Sequence, residues 1–143
     1  MEQSMKVADF QLLDNYISEF NLKISNKIPP TEEVETDGRI GFGIVSINEK
    51  EMIGQVELSY EIDVKQKNSE VGKINIVMNA LFQGSSKMKL ELFEEMLKIN
   101  GATTLSHLCR AYILSVTAQS GMPPIILPLM NFEAFFENAE KEK

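Results

Sequence analysis

The side chains that could do chemistry are few and poorly spaced for it. The chain has one histidine, His107, and one cysteine, Cys109. Two positions apart on a helix, they point in different directions and cannot chelate one ion together. Ser106 and His107 are adjacent and fail as a nucleophile–base pair for the same reason. Cys109 falls at an apolar helical spacing, where a buried, inert thiol is the usual state. The carboxylate pairs Glu94/Glu95 and Glu57/Glu61 read as solvated faces of a helix and of a strand. The glycines of Gly38 to Gly43 are spaced GxxGxG rather than GxGxxG, and acidic turn residues precede them instead of a strand. They read as a glycine-bearing strand. There is no catalytic set, no metal ligand set and no cofactor motif, so an enzyme is not expected.

Composition points the same way. The chain has 143 residues, with 21 acidic and 14 basic side chains and a net charge of −7. Its length suits one domain spanning residues 1–143, with residues 1–9 and 138–143 as frayed ends. The acidic balance argues against a nucleic-acid footprint, which needs clustered Lys and Arg. A lone cysteine excludes an intramolecular disulfide. The N-terminus reads as having no basic-then-apolar leader. Pro123, Pro124 and Pro128 break the weakly polar run Met122–Met130, far short of the roughly 20 apolar residues a membrane helix needs. The expectation is a soluble cytoplasmic protein.

The first half of the sequence reads as strands. Residues 16–24 alternate, with Tyr16, Ser18, Phe20, Leu22 and Ile24 on one face. Asn26–Asp37, with Pro29, Pro30 and four acids, reads as a loop long enough to carry the chain across the sheet, so sequence neighbours need not pair. A second strand covers 40–47. The third is the clearest, with Val56, Leu58, Tyr60, Ile62 and Val64 opposite Glu57, Ser59, Glu61, Asp63 and Lys65. Such a split of dry and wet faces is usually antiparallel. A fourth strand, 73–83, follows a turn near Asn68 and Ser69 and forms a hairpin with the third.

The second half reads as helices. Met88–Asn100 is amphipathic, and Asn100-Gly101 is its expected stop. A second helix starts at Thr103 or Thr104 and presents Leu105, Leu108, Cys109, Tyr112, Ile113 and Val116 on one face. A short helix begins at Asn131 and runs through Phe132, Phe135 and Phe136. From Ile99 to Phe136 only Arg110 and Glu133 are charged. A lone helix on a small sheet normally keeps a charged outer face. This one is buried either between sheet and tail or, as the pattern favours, against another subunit. The eight methionines either fill gaps in a core or offer an adaptable apolar surface to varied partners.

The C-terminal segment from Gly121 to Phe136 resembles the end of the SecB export chaperones, matching at Gly121, Pro123, Leu127, Asn131, Phe132, Ala134 and Phe136. The segment from Tyr16 to Asn26 resembles the family's first strand, and Arg110 matches an arginine of its long helix. The family's Cys-Pro-Asn segment is absent, replaced by Gly101–Cys109. The resemblance spans about residues 10–136.

This resemblance implies an α+β fold, a four-stranded antiparallel sheet with C-terminal helices packed on one face. It implies a dimer of dimers, with Tyr16, Phe20, Leu108, Tyr112 and Val116 at subunit interfaces. It further implies a cytosolic, ATP-independent holdase for unfolded or pre-secretory chains, without a cofactor. Its client-binding residues would be Ile28, Val34, Phe42, Ile44, Met88, Leu92 and Met96. The SecA motor would dock on an acidic sheet face, where Glu19 is retained but Lys23 and Asn75 replace two acids. Weak SecA docking is therefore expected. A dedicated chaperone for the antitoxin of a toxin–antitoxin pair is the alternative, and a small-ligand-binding domain is a third.

Overall fold

The computed structural model describes residues 1–141. Four strands come first: β1 (Phe10–Ile24), β2 (Glu35–Asn48), β3 (Ile53–Gln66) and β4 (Ser69–Gly84). All pair antiparallel in the spatial order β1-β4-β3-β2, so β1 crosses over to pair with β4 and leaves β2 at the far edge. The crossing loop does carry the chain across the sheet. It is held by Ser25, whose N–H donates to the Val71 carbonyl at 2.9 Å, and by Gln66, whose amide donates to Glu32.

The strands run further than alternation predicts. β2 begins at Glu35, inside the expected loop, where charged side chains at Asp37 and Arg39 find cross-strand partners. Arg39 bonds Glu61 at 2.5 Å, and Lys65 lies 3.7 Å from Asp37. β1 begins at Phe10, whose ring stacks on Phe82 at 4.9 Å. Two register shifts in β1, after Leu12 and after Ile17, reset its alternation. Phe20 therefore shares the inward face with Ile17, opposite Ile76 and Met78, while Tyr16 lies opposite Asn79 on the outward face. The expected grouping of Tyr16 with Phe20 is wrong for this reason. The β3–β4 turn is also tighter than expected. Lys67 and Asn68 form a two-residue loop with φ of 51° and 66°, the geometry of a hairpin with a positive-φ turn.

The helices form one continuous run where two were expected. α1 (Leu90–Met96) passes into a π-helical turn, Leu97–Gly101, and directly into α2 (Ala102–Gln119). Asn100-Gly101 does not stop it, because Gly101 stays helical at φ −63° and lies against Phe82 and Val56. Beneath the turn, Gly54 gives Leu97 room: a Cβ there would stand 2.5 Å from Leu97 Cδ1. Val56, Leu58, Ile74, Ile76 and Phe82 below, and Phe93, Leu97, Leu105, Cys109 and Ile113 above, form the core.

Gly121, at φ +74°, turns the chain into an extended strap over residues 122–131. The strap runs back along α2. Met122, Ile125 and Leu127 point in, while Pro124, Ile126 and Pro128 point out. Thr117 Oγ1 accepts the Ile125 N–H at 2.9 Å, and Arg110 Nε donates to the Leu127 carbonyl at 2.8 Å. α3 (Phe132–Lys141) follows, so residues 138–141 are helical; 142 and 143 lie outside the described residues.

Candidate functional site

The inward face of β2 is covered less completely than that of its neighbours. On β3 and β4 the inward side chains are buried, whereas Ile40, Phe42, Ile44 and Ile47 of β2 are only half-buried. The long helix lies over β3 and β4, leaving the strap and α3 to cover β2 in part. Phe136 of α3 meets Phe42 edge-on at 5.3 Å, and Phe135 packs on Phe136 at 5.2 Å. Beyond them a cavity of about 250 Å³ opens between β2 and the strap. Ile40, Tyr60, Ile62, Leu127, Pro128 and Met130 supply its apolar lining, and Asp37 and Arg39 also border it. Together these form a groove running along an edge strand, apolar on its floor and charged at one rim.

Polar chemistry here is structural. The Tyr60 and Ser106 hydroxyls share a buried 2.6 Å hydrogen bond that ties α2 to β3. Burial raises the Tyr60 pKa above its ordinary value, and the bond from Ser106 partly opposes this. Cys109 is fully buried, and desolvation pushes its thiol up to about 12. Among the described residues no group of three His, Cys, Asp or Glu is placed to hold a metal, and no helix is long and apolar enough to cross a membrane.

The expected contact residues fall at different places. Phe42 and Ile44 are on the groove floor. Val34 borders a second cleft, among Glu32, Glu35, Lys65 and Val71. Met88 lies near the opposite end of the sheet, beside Gly84 and the β2–β3 turn. That separation is about 40 Å along the strands, from roughly 3.3 Å per residue. Leu92 is 52% exposed on α1, and Met96 is half-buried. Ile28 is a correction. It is 2% exposed and belongs to the core, so it anchors the crossing loop and offers no surface to a partner. Ile40, Leu127, Pro128, Met130, Phe135 and Phe136 were not expected at the site. The signal available for the strap was its period-two alternation, which the three prolines obscured.

The expected interface residues also divide. Phe20 and Tyr112 pack edge to face at 5.1 Å within one chain, with Tyr112 still 37% exposed. Leu108 and Val116 are half-buried. The α2 face turned to the core carries Leu105, Cys109, Ile113 and Thr117, leaving Ala111, Leu114 and Ala118 outward; Ile126 of the strap is also exposed. On the outer sheet face, Glu19 is exposed opposite Val77, Lys23 faces Lys73, and Asn21 faces Asn75. Arg39, Lys65 and Lys73 each hold an acid there, so this face is of mixed charge.

An antiparallel sheet carrying a long helix on one face is a fold this chain shares with a SecB-like chaperone. A SecB-like chaperone of Mycobacterium tuberculosis, solved with a peptide from the HigA1 antitoxin, has this fold. It superposes with a TM-score of 0.71 at 15% identity, covering 86% of this chain and 91% of that one. A Streptococcus agalactiae protein of unknown function aligns over 86% of this chain and 99% of its own, at 12% identity and a TM-score of 0.46. A search of curated proteins found no match. The family model of preprotein translocase subunit SecB matches residues 3–143, and the chain belongs to that family of chaperones.

Proposed function

We propose that this protein is an ATP-independent holdase that binds unfolded polypeptides in the groove along β2. The observation that carries this reading is the half-buried apolar row Ile40, Phe42, Ile44 and Ile47, left open beside the strap and α3 in a chain of the SecB family. Unfolded chains of different sequence share apolar side chains and free backbone, and an adaptable apolar groove suits the first of these. Phe42, Ile44 and Val34, with Leu92, Met88 and Met96 towards the other end, are the client contacts in this reading. The working form is a cytoplasmic homotetramer whose subunits meet through α2, the strap and β1. Any protein-export role depends on SecA, which would meet a sheet face of mixed charge, so weak docking is expected. The test is aggregation of several unrelated unfolded proteins without nucleotide. Suppression of all of them at near-stoichiometric chaperone supports the holdase. No suppression, with tight binding of a small molecule instead, would overturn it.

A narrower reading, a dedicated chaperone for one antitoxin, draws support from the shared fold with the mycobacterial chaperone and its antitoxin peptide. Suppression of aggregation of a single cognate partner, with unrelated proteins unaffected, would favour it.

A further inference from the structure

We propose that the Asp37–Gly38 bond is a site of spontaneous covalent modification, at which Asp37 closes on the Gly38 nitrogen to a cyclic imide and reopens as a β-linked aspartyl residue. This modification goes beyond the holdase reading and does not depend on it. Such a closure needs a carboxyl group held against the backbone nitrogen of the next residue, and little bulk on that residue. Of the aspartates Asp9, Asp14, Asp37 and Asp63, only Asp37 precedes a glycine. The Gly38 N–H donates to Asp37 Oδ1 at 2.9 Å. That contact sets the carboxyl beside the nitrogen it must acylate, close to the roughly 3–3.5 Å from which bond formation starts. Glycine has no Cβ, so its nitrogen is open to approach. Asp14 makes the same contact with the Asn15 N–H, also at 2.9 Å, but there the Asn15 side chain hinders the nitrogen.

The surroundings favour the reaction at this one place. The Asp37 side chain is 74% exposed, so water reaches the ring once it forms, and Lys65 lies 3.7 Å from Oδ2. β2 is an outer strand with one side of its backbone unpaired, so its peptide planes turn more easily than those of β3 or β4. Asn100–Gly101 has comparable chemistry, but Gly101 is buried and helical at φ −63°, which keeps its nitrogen turned from the side chain. The step balances without a cofactor. In the protonated carboxyl, the Gly38 nitrogen bonds to Asp37 Cγ, and the carboxyl hydroxyl leaves with the amide proton as water. Water then adds back across the ring. Opening at Cγ restores aspartate, while opening at the Asp37 main-chain carbonyl routes the chain through Cβ and Cγ. Mass is unchanged, but the main chain is one carbon longer. Glu35, Thr36 and Asp37 pair with Lys65, Val64 and Asp63, and the added carbon puts these three out of register with the rest of β2. Thr36 and Asp37 border the cavity beside the strap, so its wall loosens at that end.

The test is warm incubation of the folded protein at mildly acidic pH, followed by digestion with trypsin. In the fragment Ile28–Arg39, Asp37 is the sole Asp or Asn, and reversed-phase chromatography separates this fragment from its isomer of equal mass. Isoaspartyl methyltransferase, which methylates β-linked aspartyl carboxyls, identifies the isomer. It should accumulate at a rate within about tenfold of that in the free synthetic fragment, and faster than any isomer at Asp14. Asp37→Glu keeps the charge but cannot close a five-membered ring, and should abolish the signal. Asp37→Asn, from which ammonia leaves, should raise it, with circular dichroism unchanged. An isomer that forms in the free fragment and in urea-unfolded protein, but not in folded protein, would overturn the proposal, because pairing with β3 would then hold the nitrogen away from the carboxyl. Methyl acceptance by this fragment that survives Asp37→Glu would overturn it as well.

Discussion

Cys109 shows how position decides whether a nucleophilic side chain is reactive. Its thiol sits at zero exposure among Leu105, Ile113 and the sheet, and burial alone lifts its pKa from 9.0 to about 12. The native thiol should therefore resist a charged disulfide reagent at neutral pH and react at once in denaturant, as measured by thiolate release. Fast native labelling would contradict its burial. The linkage has a definite sign. A raised folded-state pKa means the folded chain holds the proton more tightly, so this contribution is complete below pH 9 and is lost as pH climbs towards 12. Tyr60, also raised by burial, adds to the same alkaline loss. Cys109→Ala should lower stability at neutral pH and flatten its fall above pH 9, as read by denaturant midpoints across pH. The burial of Cys109 was legible from its helical spacing. The Tyr60–Ser106 bond was not, because it joins residues 46 apart that only the packing of α2 on β3 brings together.

At the scale of elements, strict alternation made β3 and β4 readable almost to their ends. The helix junction was misread because Asn100-Gly101 has the chemistry of a stop, yet here burial against the sheet outweighs local propensity. Two glycines separate these effects. A Cβ at Gly101 would sit 3.5 Å from Phe82, an ordinary contact, on a backbone already helical at φ −63°. Gly101→Ala should stabilise the fold by about 0.5–1 kcal/mol through the unfolded chain's lost freedom. Gly54→Ala drives a methyl into buried Leu97 at 2.5 Å and should cost about 1–3 kcal/mol as the π turn lifts. Urea denaturation of the two variants should move in opposite directions, and a shift of both the same way would refute the close-approach role of Gly54. The β1 bulges explain why Tyr16 was placed on the wrong face, since a single inserted residue inverts every later side chain without leaving a mark in composition. Ile28 was misplaced for a related reason. A loop rich in proline and acids gives no sign that one of its residues turns back into the core.

For the whole molecule, the charge-poor run from Ile99 to Phe136 divides its apolar residues between two surfaces. Leu105, Cys109, Ile113, Ile125 and Leu127 fill the core, while Leu114 at 38%, Ile126 at 71% and Leu129 at 70% exposure face out. Exposed apolar area gathered along one helix and its strap is the pattern of a subunit contact. Leu114→Glu with Ile126→Glu should lower the oligomer's mass by light scattering at micromolar concentration, with far-ultraviolet circular dichroism unchanged, because both positions are on the surface of the folded chain. A wild type that is already monomeric would contradict this prediction.

The groove is tested most directly by side chains that border it or face solvent, which can be changed without emptying the core. Leu92 is 52% and Met130 37% exposed, so Leu92→Ser with Met130→Ser should leave thermal unfolding nearly unmoved. Burial of two such side chains against a client is worth roughly 1–3 kcal/mol. The measurement is the affinity of one permanently unfolded protein, such as reduced and carboxymethylated lactalbumin, for wild type and double variant by fluorescence anisotropy. The expected result is a Kd raised about tenfold in a correctly assembled variant. An unchanged Kd, with the fold and oligomer intact, would place client binding elsewhere on the molecule.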